Sequence, residues 1–288
     1  MGDKMKNFLI RTASGAVMLI VVLGAMLLSK WSFMALMAAI AIGGMWEFYR
    51  FAEKAGYEPM KVLGIFTGIM ILCIGAAAML FFDLGGDNAN APLLLIAAAS
   101  ALVLIVPLMF ICELYRKSAT PIANIATSLL GALYVAFPMA LLLIVPMLLG
   151  VGKWNPWIMI FYIFIIWAND VFAYLFGITL GRHRLFERIS PKKSWEGFFG
   201  GLLGAMAMGW VAATILEASV PMWVGLALVA AISGVFGDLV ESLMKRSVDV
   251  KDSGNIIPGH GGWLDRFDAL ILSAPFVFIY ACLYTLAA

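Results

Sequence analysis

The sequence predicts an all-α integral membrane protein of about nine transmembrane helices. Three observations predict it. Of its residues 64% are hydrophobic and only 12% are charged, against about 25% charged in a water-soluble domain. The apolar runs are continuous and reach the roughly 20 residues a helix needs to cross hydrocarbon. They lack the alternation and the ~10-residue rhythm of a membrane barrel. Helices remain as the way to satisfy backbone groups in lipid.

The expected spans follow in order. Ala13–Leu28 comes after Lys4, Lys6 and Arg11, as a signal peptide would. No small-x-small cleavage site follows it and a second apolar run starts at once, so an uncleaved span is expected. Ser32–Phe48, Val62–Phe82, Pro92–Cys112 and Ala126–Leu149 complete an N-terminal region of five spans, residues 1–150. Trp157–Leu180, Trp195–Leu216, Met222–Met244 and Ala269–Leu286 form a C-terminal region of four spans, residues 151–288, expected to carry the chemistry. Cys73, Cys112 and Cys282 lie within apolar runs at no metal-ligand spacing and read as small core residues.

Charge orients these spans. With the N-terminus in the cytoplasm, 17 of the 19 Lys and Arg residues fall on the cytoplasmic side, and only Lys30 and Lys153 on the other. Such asymmetry is the positive-inside pattern. The longer, charged connections share the cytoplasmic side, so an active-site cavity is expected to open there. The first five spans carry almost no polar groups near their middles.

The late spans carry acids. A carboxylate at mid-helix costs about 2.5–3.5 kcal/mol on insertion scales, so it needs a partner or a wet cavity. Asp238, Glu241, Ser242 and Lys245 fall at i, i+3, i+4 and i+7 on one helix face running toward Arg246. Asn169 and Asp170 open a small-and-polar face on the sixth span. In "SPKKSWEG", Ser190-Pro191 or Ser194 is placed to cap the seventh helix. Lys192 and Lys193 beside that helix N-terminus make an anion site suited to phosphate. Gly197, Gly200, Gly201 and Gly204 then give overlapping G-x-x-x-G pairs for close helix packing.

The richest stretch is Ser242 to Asp268, "SLMKRSVDVKDSGNIIPGHGGWLDRFD". Lys245, Arg246, Lys251 and Arg266 supply cations, and Asp249, Asp252, Asp265 and Asp268 supply carboxylates. Gly254, Gly259, Gly261 and Gly262 allow tight turns and close backbone approach to a ligand. Hard oxygen ligands among cations suit a polyphosphate carrying Mg²⁺, which prefers carboxylates plus substrate phosphates to an all-protein cage. His260 reads as an orienting or phosphate-binding group. A phosphomonoester nucleophile is already ionised near neutral pH and needs no base.

Ser242-x-x-Lys245-Arg246, then Lys251-Asp252, then Pro258-x-His260-Gly261-Gly262-x-x-Asp265-Arg266-x-Asp268, resembles the signature of the phosphatidate cytidylyltransferase (CDP-diacylglycerol synthase) family. The likeness extends to "NDVFAYLFG" and "SPKKSWEG" and covers roughly residues 165–288. Trp263 departs from it, where an aliphatic residue is expected. The resemblance implies an all-helical, dimeric membrane enzyme that joins CTP to phosphatidate and releases pyrophosphate. It implies Asp238 and Asp265 as metal ligands for Mg²⁺, with Glu241 and Asp268 as further candidates, and a second cation such as K⁺. Asp238, Asp265, Lys245, Arg246 and Lys251 are then the candidate catalytic residues. Asn169, Asp170, Lys192, Lys193, Ser194, Ser242, His260 and Arg266 are the candidate substrate contacts. The expected partners are CTP, phosphatidate, the lipid bilayer and a second copy of the chain, with no nucleic acid. The expected location is the cytoplasmic (inner) membrane of a bacterium. An ion-coupled transporter and another phosphate-transferring membrane enzyme, such as a polyprenol kinase, remain as rival readings of the same acids.

Overall fold

Two residues in three of this chain are apolar, and helices are where they are found. The computed structural model describes residues 3–83, 90–250, 253–254 and 261–287. Lys251, Asp252 and His260 lie outside the described residues. Ten α-helices and a short π-helical segment run in the order α1 (Asp3–Leu28), α2 (Lys30–Lys54), α3 (Lys61–Asp83), α4 (Asn90–Arg116), α5 (Pro121–Gly131), the π segment (Ala132–Ala136), α6 (Phe137–Leu149), α7 (Pro156–Thr179), α8 (Trp195–Ile215), α9 (Val220–Ser247) and α10 (Leu264–Ala287). Because α5, the π segment and α6 form one continuous span, the described residues hold nine helices long and apolar enough to cross a membrane. The nine expected spans are all present, most of them a few residues longer than read from hydropathy.

One element is not helical. Between α7 and α8 the chain forms an antiparallel hairpin of β1 (Arg184–Phe186) and β2 (Ser190–Ser194). Polar side chains and a proline make this stretch a poor span, and a hairpin pairs its backbone groups outside the helices.

Local chemistry sets the helix starts. Ser29 accepts from the Ser32 N–H at 3.1 Å, Asn155 from Trp157 at 3.0 Å and Ser219 from Met222 at 3.4 Å. Ser194 caps α8 by accepting the Gly197 N–H at 3.1 Å, whereas Ser190 and Pro191 lie in β2. The N-terminus of α10 has no such local cap. Its Leu264 N–H is met by Glu47, described below, and its Asp265 N–H by the Ser253 hydroxyl oxygen.

The main apolar core runs between α2, α6, α7, α9 and α10, around Phe33, Tyr49, Met139, Tyr162 and Trp223. Helix α10 packs on α9 and also on α6, so the two halves of the chain share one core. A smaller cluster of Met60, Ile105, Met109 and Ile125 joins α3, α4 and α5. Helices α1 and α4 are the least buried spans. None of the three cysteines is fully buried, and Cys112 on α4 is exposed. An apolar outward face accommodates a thiol as readily as a core does, which corrects the reading of all three as core residues.

At one end of the bundle Lys30 pairs with Asp83, which also accepts the Trp154 N–H at 3.2 Å. This places Lys30 and Lys153 at the same end. The termini of α7, α8, α9 and α10 that carry the signature residues alternate to the other end.

Small residues let α8 lie directly on α7. A Cβ on Gly197 would stand 2.8 Å from the Ala173 carbonyl, and one on Gly201 would stand 2.6 Å from the Asn169 side-chain oxygen. Such crowding in a packed interior costs about 1–3 kcal/mol. Gly201→Ala is therefore expected to lower the thermal unfolding midpoint of detergent-purified protein, while Gly24→Ala, inside α1 with nothing within 4 Å, leaves it unchanged or slightly raised.

Candidate active site

The polar face read from the sequence of α9 turns toward α10, with Glu241 buried and Asp238, Ser242 and Lys245 partly exposed. The contact is close because Gly237 has no side chain: a Cβ there would lie 2.5 Å from the Asp268 carbonyl oxygen. Asp238 on α9 and Asp268 on α10 thereby meet. Ligand oxygens of Asp238, Glu241 and Asp268 all lie within 4.8 Å of one another, a spacing that can hold a metal ion. Glu241 is 1% exposed, and its Oε1 has no hydrogen-bond partner among the described residues. Buried polar atoms in folded proteins are nearly always satisfied, so an unpartnered carboxylate oxygen aimed into such a cluster fits a cation.

Asp265 is placed differently. Its Oδ1 accepts from Lys245 Nζ at 2.7 Å. Its Oδ2 accepts the Ser253 N–H at 2.9 Å and the Gly262 N–H at 2.7 Å. Lys245 also pairs with Glu241 Oε2 at 2.5 Å, so one ammonium ties Asp265 to the carboxylate cluster. The resemblance pairs Asp238 with Asp265. The geometry groups Asp238 with Glu241 and Asp268, and joins Asp265 to them through Lys245.

Beside the cluster lies a cavity of about 620 Å³, walled by α7, the hairpin, the start of α8 and α9. Asn169, Asp170, Lys192, Lys193, Ser194 and Asp238 line it. Its size falls in the range of small-molecule sites. Lys193 reaches across to Asp238 Oδ2 at 2.8 Å and donates to the Val235 carbonyl at 3.4 Å. Arg184 of β1, absent from the candidates read from sequence as substrate contacts, also lines this cavity. Asn169 is buried, and its Oδ1 lacks a partner among the described residues.

The other candidates sit around this centre. Ser242 donates to Asp238 Oδ1 at 3.3 Å. Arg246 is exposed at the end of α9 and donates to the Val250 carbonyl at 3.4 Å. Arg266 is exposed in the first turn of α10, within electrostatic reach of Asp170. Lys192 is exposed and Lys193 half-buried. Lys251 and His260 fall outside the described residues.

Two further groups escaped the sequence reading, both from the first half, whose spans read as nearly free of polar groups. Glu47 on α2 is fully buried beside the signature loop. Tyr134, carried by the π segment, has a buried hydroxyl with no hydrogen-bond partner among the described residues and lies within electrostatic reach of Asp268 and Glu241. Such π turns recur at functional sites. Glu47 could have been found, because a carboxylate within an apolar run is itself the signal. Tyr134 has no comparable signal, since aromatic residues are ordinary in spans. Glu113, buried and paired with Arg116 at 3.0 Å, is a second buried acid in that half, and it does not line the cavity.

Carboxylates packed between two membrane helices, next to a cation-lined cavity, define a polytopic membrane protein with a candidate site for an anion beside an acidic cluster. Comparison with known proteins carries this further. The Cytidylyltransferase family matches residues 9–284, and the chain belongs to that family. A phosphatidate cytidylyltransferase of Synechocystis is 30% identical over 95% of this chain and 96% of its own length. One from Rickettsia bellii is 35% identical over 64% of this chain and 80% of its own. One from Bacillus subtilis is 43% identical over 42% of this chain, a match spanning 46% of that relative.

The Lys245 ammonium is 13% exposed and serves two buried carboxylates. Removing one member of a buried ion pair typically costs about 3–5 kcal/mol, because the charge left behind has no partner. Lys245→Met is expected to lower the unfolding midpoint strongly. Adding Glu241→Gln to it should recover part of the loss, read by the same thermal melts.

Proposed function

We propose that this chain transfers the cytidylyl group of CTP to phosphatidate, giving CDP-diacylglycerol and pyrophosphate for phospholipid synthesis. The observation that carries the reading is the Asp238–Glu241–Asp268 cluster opening beside a cavity lined by Lys192 and Lys193. Family membership and the relatives named above support the choice of substrates.

The charge balance favours a divalent cation. Asp238, Glu241, Asp265 and Asp268 outnumber the ammonium partners Lys193 and Lys245 by two formal charges. Uncompensated charge in a low-dielectric interior is costly. Asp238, Glu241 and Asp268 would hold Mg²⁺, which when bound supplies charge neutralisation on the triphosphate and the departing pyrophosphate. A second cation such as K⁺ remains part of the proposal by likeness alone.

The reaction needs little from the protein beyond placement. A phosphatidate phosphate oxygen, already ionised near neutral pH, attacks the α-phosphorus of CTP. A new P–O bond forms. The bond from the α-phosphorus to the oxygen bridging to the β-phosphorus breaks, and pyrophosphate leaves with that electron pair. No proton has to be moved. Lys192, Lys193 and the Ser194-capped N-terminus of α8 line one wall and receive phosphate oxygens. Arg266 and Arg246, exposed at the rims of α10 and α9, are placed to meet a second phosphate. Lys251 and His260 belong to the same proposal by resemblance. Most of the rate enhancement is then orientation and electrostatics.

The location follows the same logic. Phosphatidate keeps its tails in lipid, while CTP is water-soluble. A site at one end of the bundle would serve both, and the basic residues gathered at that end support a location on the cytoplasmic face of a bacterial inner membrane. A homodimer is part of the proposal by likeness to the family.

The test uses purified full-length protein in phosphatidate-containing micelles, with CTP labelled at its α-phosphate. Label is expected to enter lipid with Mg²⁺ and not with EDTA. Asp238→Asn is expected to lower the rate at least roughly 100-fold, the scale of several kcal/mol of metal-borne stabilisation. Label that never enters lipid, from folded protein, sends the assignment to other lipid phosphate acceptors.

A further inference from the structure

We propose that Glu47 is a positioning residue for cytidylyl transfer, reaching from α2 to hold the loop that orients Asp265 and, through Lys245, the carboxylate cluster. The inference rests on the function proposed above.

Glu47 is 0% exposed, and three donors converge on its two oxygens. Oε1 accepts the Trp263 N–H at 2.8 Å. Oε2 accepts the Leu264 N–H at 2.9 Å and the Ser253 hydroxyl at 2.7 Å. Trp263 and Leu264 stand at the start of α10, where N–H groups have no acceptor within the helix and the dipole favours negative charge. Glu47 therefore caps α10 from a residue 217 positions away.

The surroundings are shaped to admit this side chain. A Cβ on Gly254 or on Gly262 would strike the Glu47 carboxylate. The glycines of the signature loop thus make room for α2 at these positions, where the sequence suggested room for a ligand. Trp263, the departure from the family pattern, adds a second tie. Its indole N–H donates to the Ile40 carbonyl at 3.1 Å, and its ring lies over Gly43.

From Glu47 the order passes inward by hydrogen bonds. The Ser253 hydroxyl lies 2.7 Å from Glu47 and 3.0 Å from Asp265 Oδ2. Its one proton goes to the nearer acceptor, Glu47. Asp265 Oδ2 is served instead by the Ser253 and Gly262 N–H groups, both in backbone that Glu47 pins. Asp265 then fixes Lys245, and Lys245 fixes Glu241. Groups that orient metal ligands from outside typically change affinity or activity about 10- to 100-fold when replaced.

The experiment compares wild type, Glu47→Gln, Ser253→Ala and Glu53→Gln as full-length protein in phosphatidate micelles. It reads kcat, KM for CTP, the Mg²⁺ concentration for half activity, and the fraction folded by thermal melt and gel filtration. Glu47→Gln keeps the shape but turns an NH₂ toward one of the three donors. It is expected to lower kcat/KM for CTP about 10- to 100-fold and to raise the half-activating Mg²⁺ concentration. Ser253→Ala, which spares both main-chain bonds, should move both readouts the same way by less, and it decides the matter if Glu47→Gln does not fold. Glu53, on the same helix as Glu47 and paired with Lys61 of α3 at 2.7 Å, is the control expected to leave both unchanged. Wild-type KM and Mg²⁺ dependence in the Glu47 or Ser253 variant, with rates scaling only with the folded fraction, would make Glu47 a tether and overturn the inference. A wild type that makes no labelled lipid contradicts the function proposed above, not the positioning role alone.

Discussion

The structure depends on how four carboxylates are kept between two membrane helices. Each is costly in an apolar bundle unless paired. Lys245 answers part of the demand by bridging Glu241 and Asp265, and Lys193 answers another part by reaching Asp238 from the hairpin. Glu241 Oε1 remains unsatisfied among the described residues, which is where the account puts a cation. Gly237 makes the grouping possible, since only a residue without a side chain lets Asp268 come so near Asp238. The rest of the bundle holds α9 and α10 at that distance. Helices α7 and α8, packed through glycines, hold the cation-lined wall opposite.

Much of this was legible in the sequence. Spans are legible because burial in lipid demands long apolar runs, and all nine appear where hydropathy put them. The α9 face was legible because helical periodicity alone puts Asp238, Glu241, Ser242 and Lys245 together. The glycine packing of α8 and its Ser194 cap follow from local rules and are observed. The family follows from the 27-residue stretch from Ser242 to Asp268, whose spacing reflects one helix end, one loop and one helix start.

What was hidden depends on contacts far apart in the chain. No local rule says that Glu47 meets Leu264, and its acid was passed over inside an apolar run. No periodicity reveals that α5 and α6 are joined by a π turn presenting Tyr134. The division of labour between Asp265 and Asp268 was also beyond reach. Both lie on the first turns of α10, three residues apart, and only the direction of α9 decides which meets Lys245 and which meets Asp238. The first five spans, read as almost free of polar groups near their middles, thus also supply buried groups to the site.

On the proposed reading, Asp238, Glu241 and Asp268 together would hold a divalent cation that carries the nucleotide. The most direct measurement is Mn²⁺ binding, as a stand-in for Mg²⁺, followed by electron paramagnetic resonance on detergent-purified protein with and without CTP. Bound Mn²⁺ that CTP strengthens is expected in the wild type, weakening at least roughly tenfold when Asp268 is replaced by Asn. Mn²⁺ binding that is indifferent to Asp268→Asn, in folded protein, would contradict it.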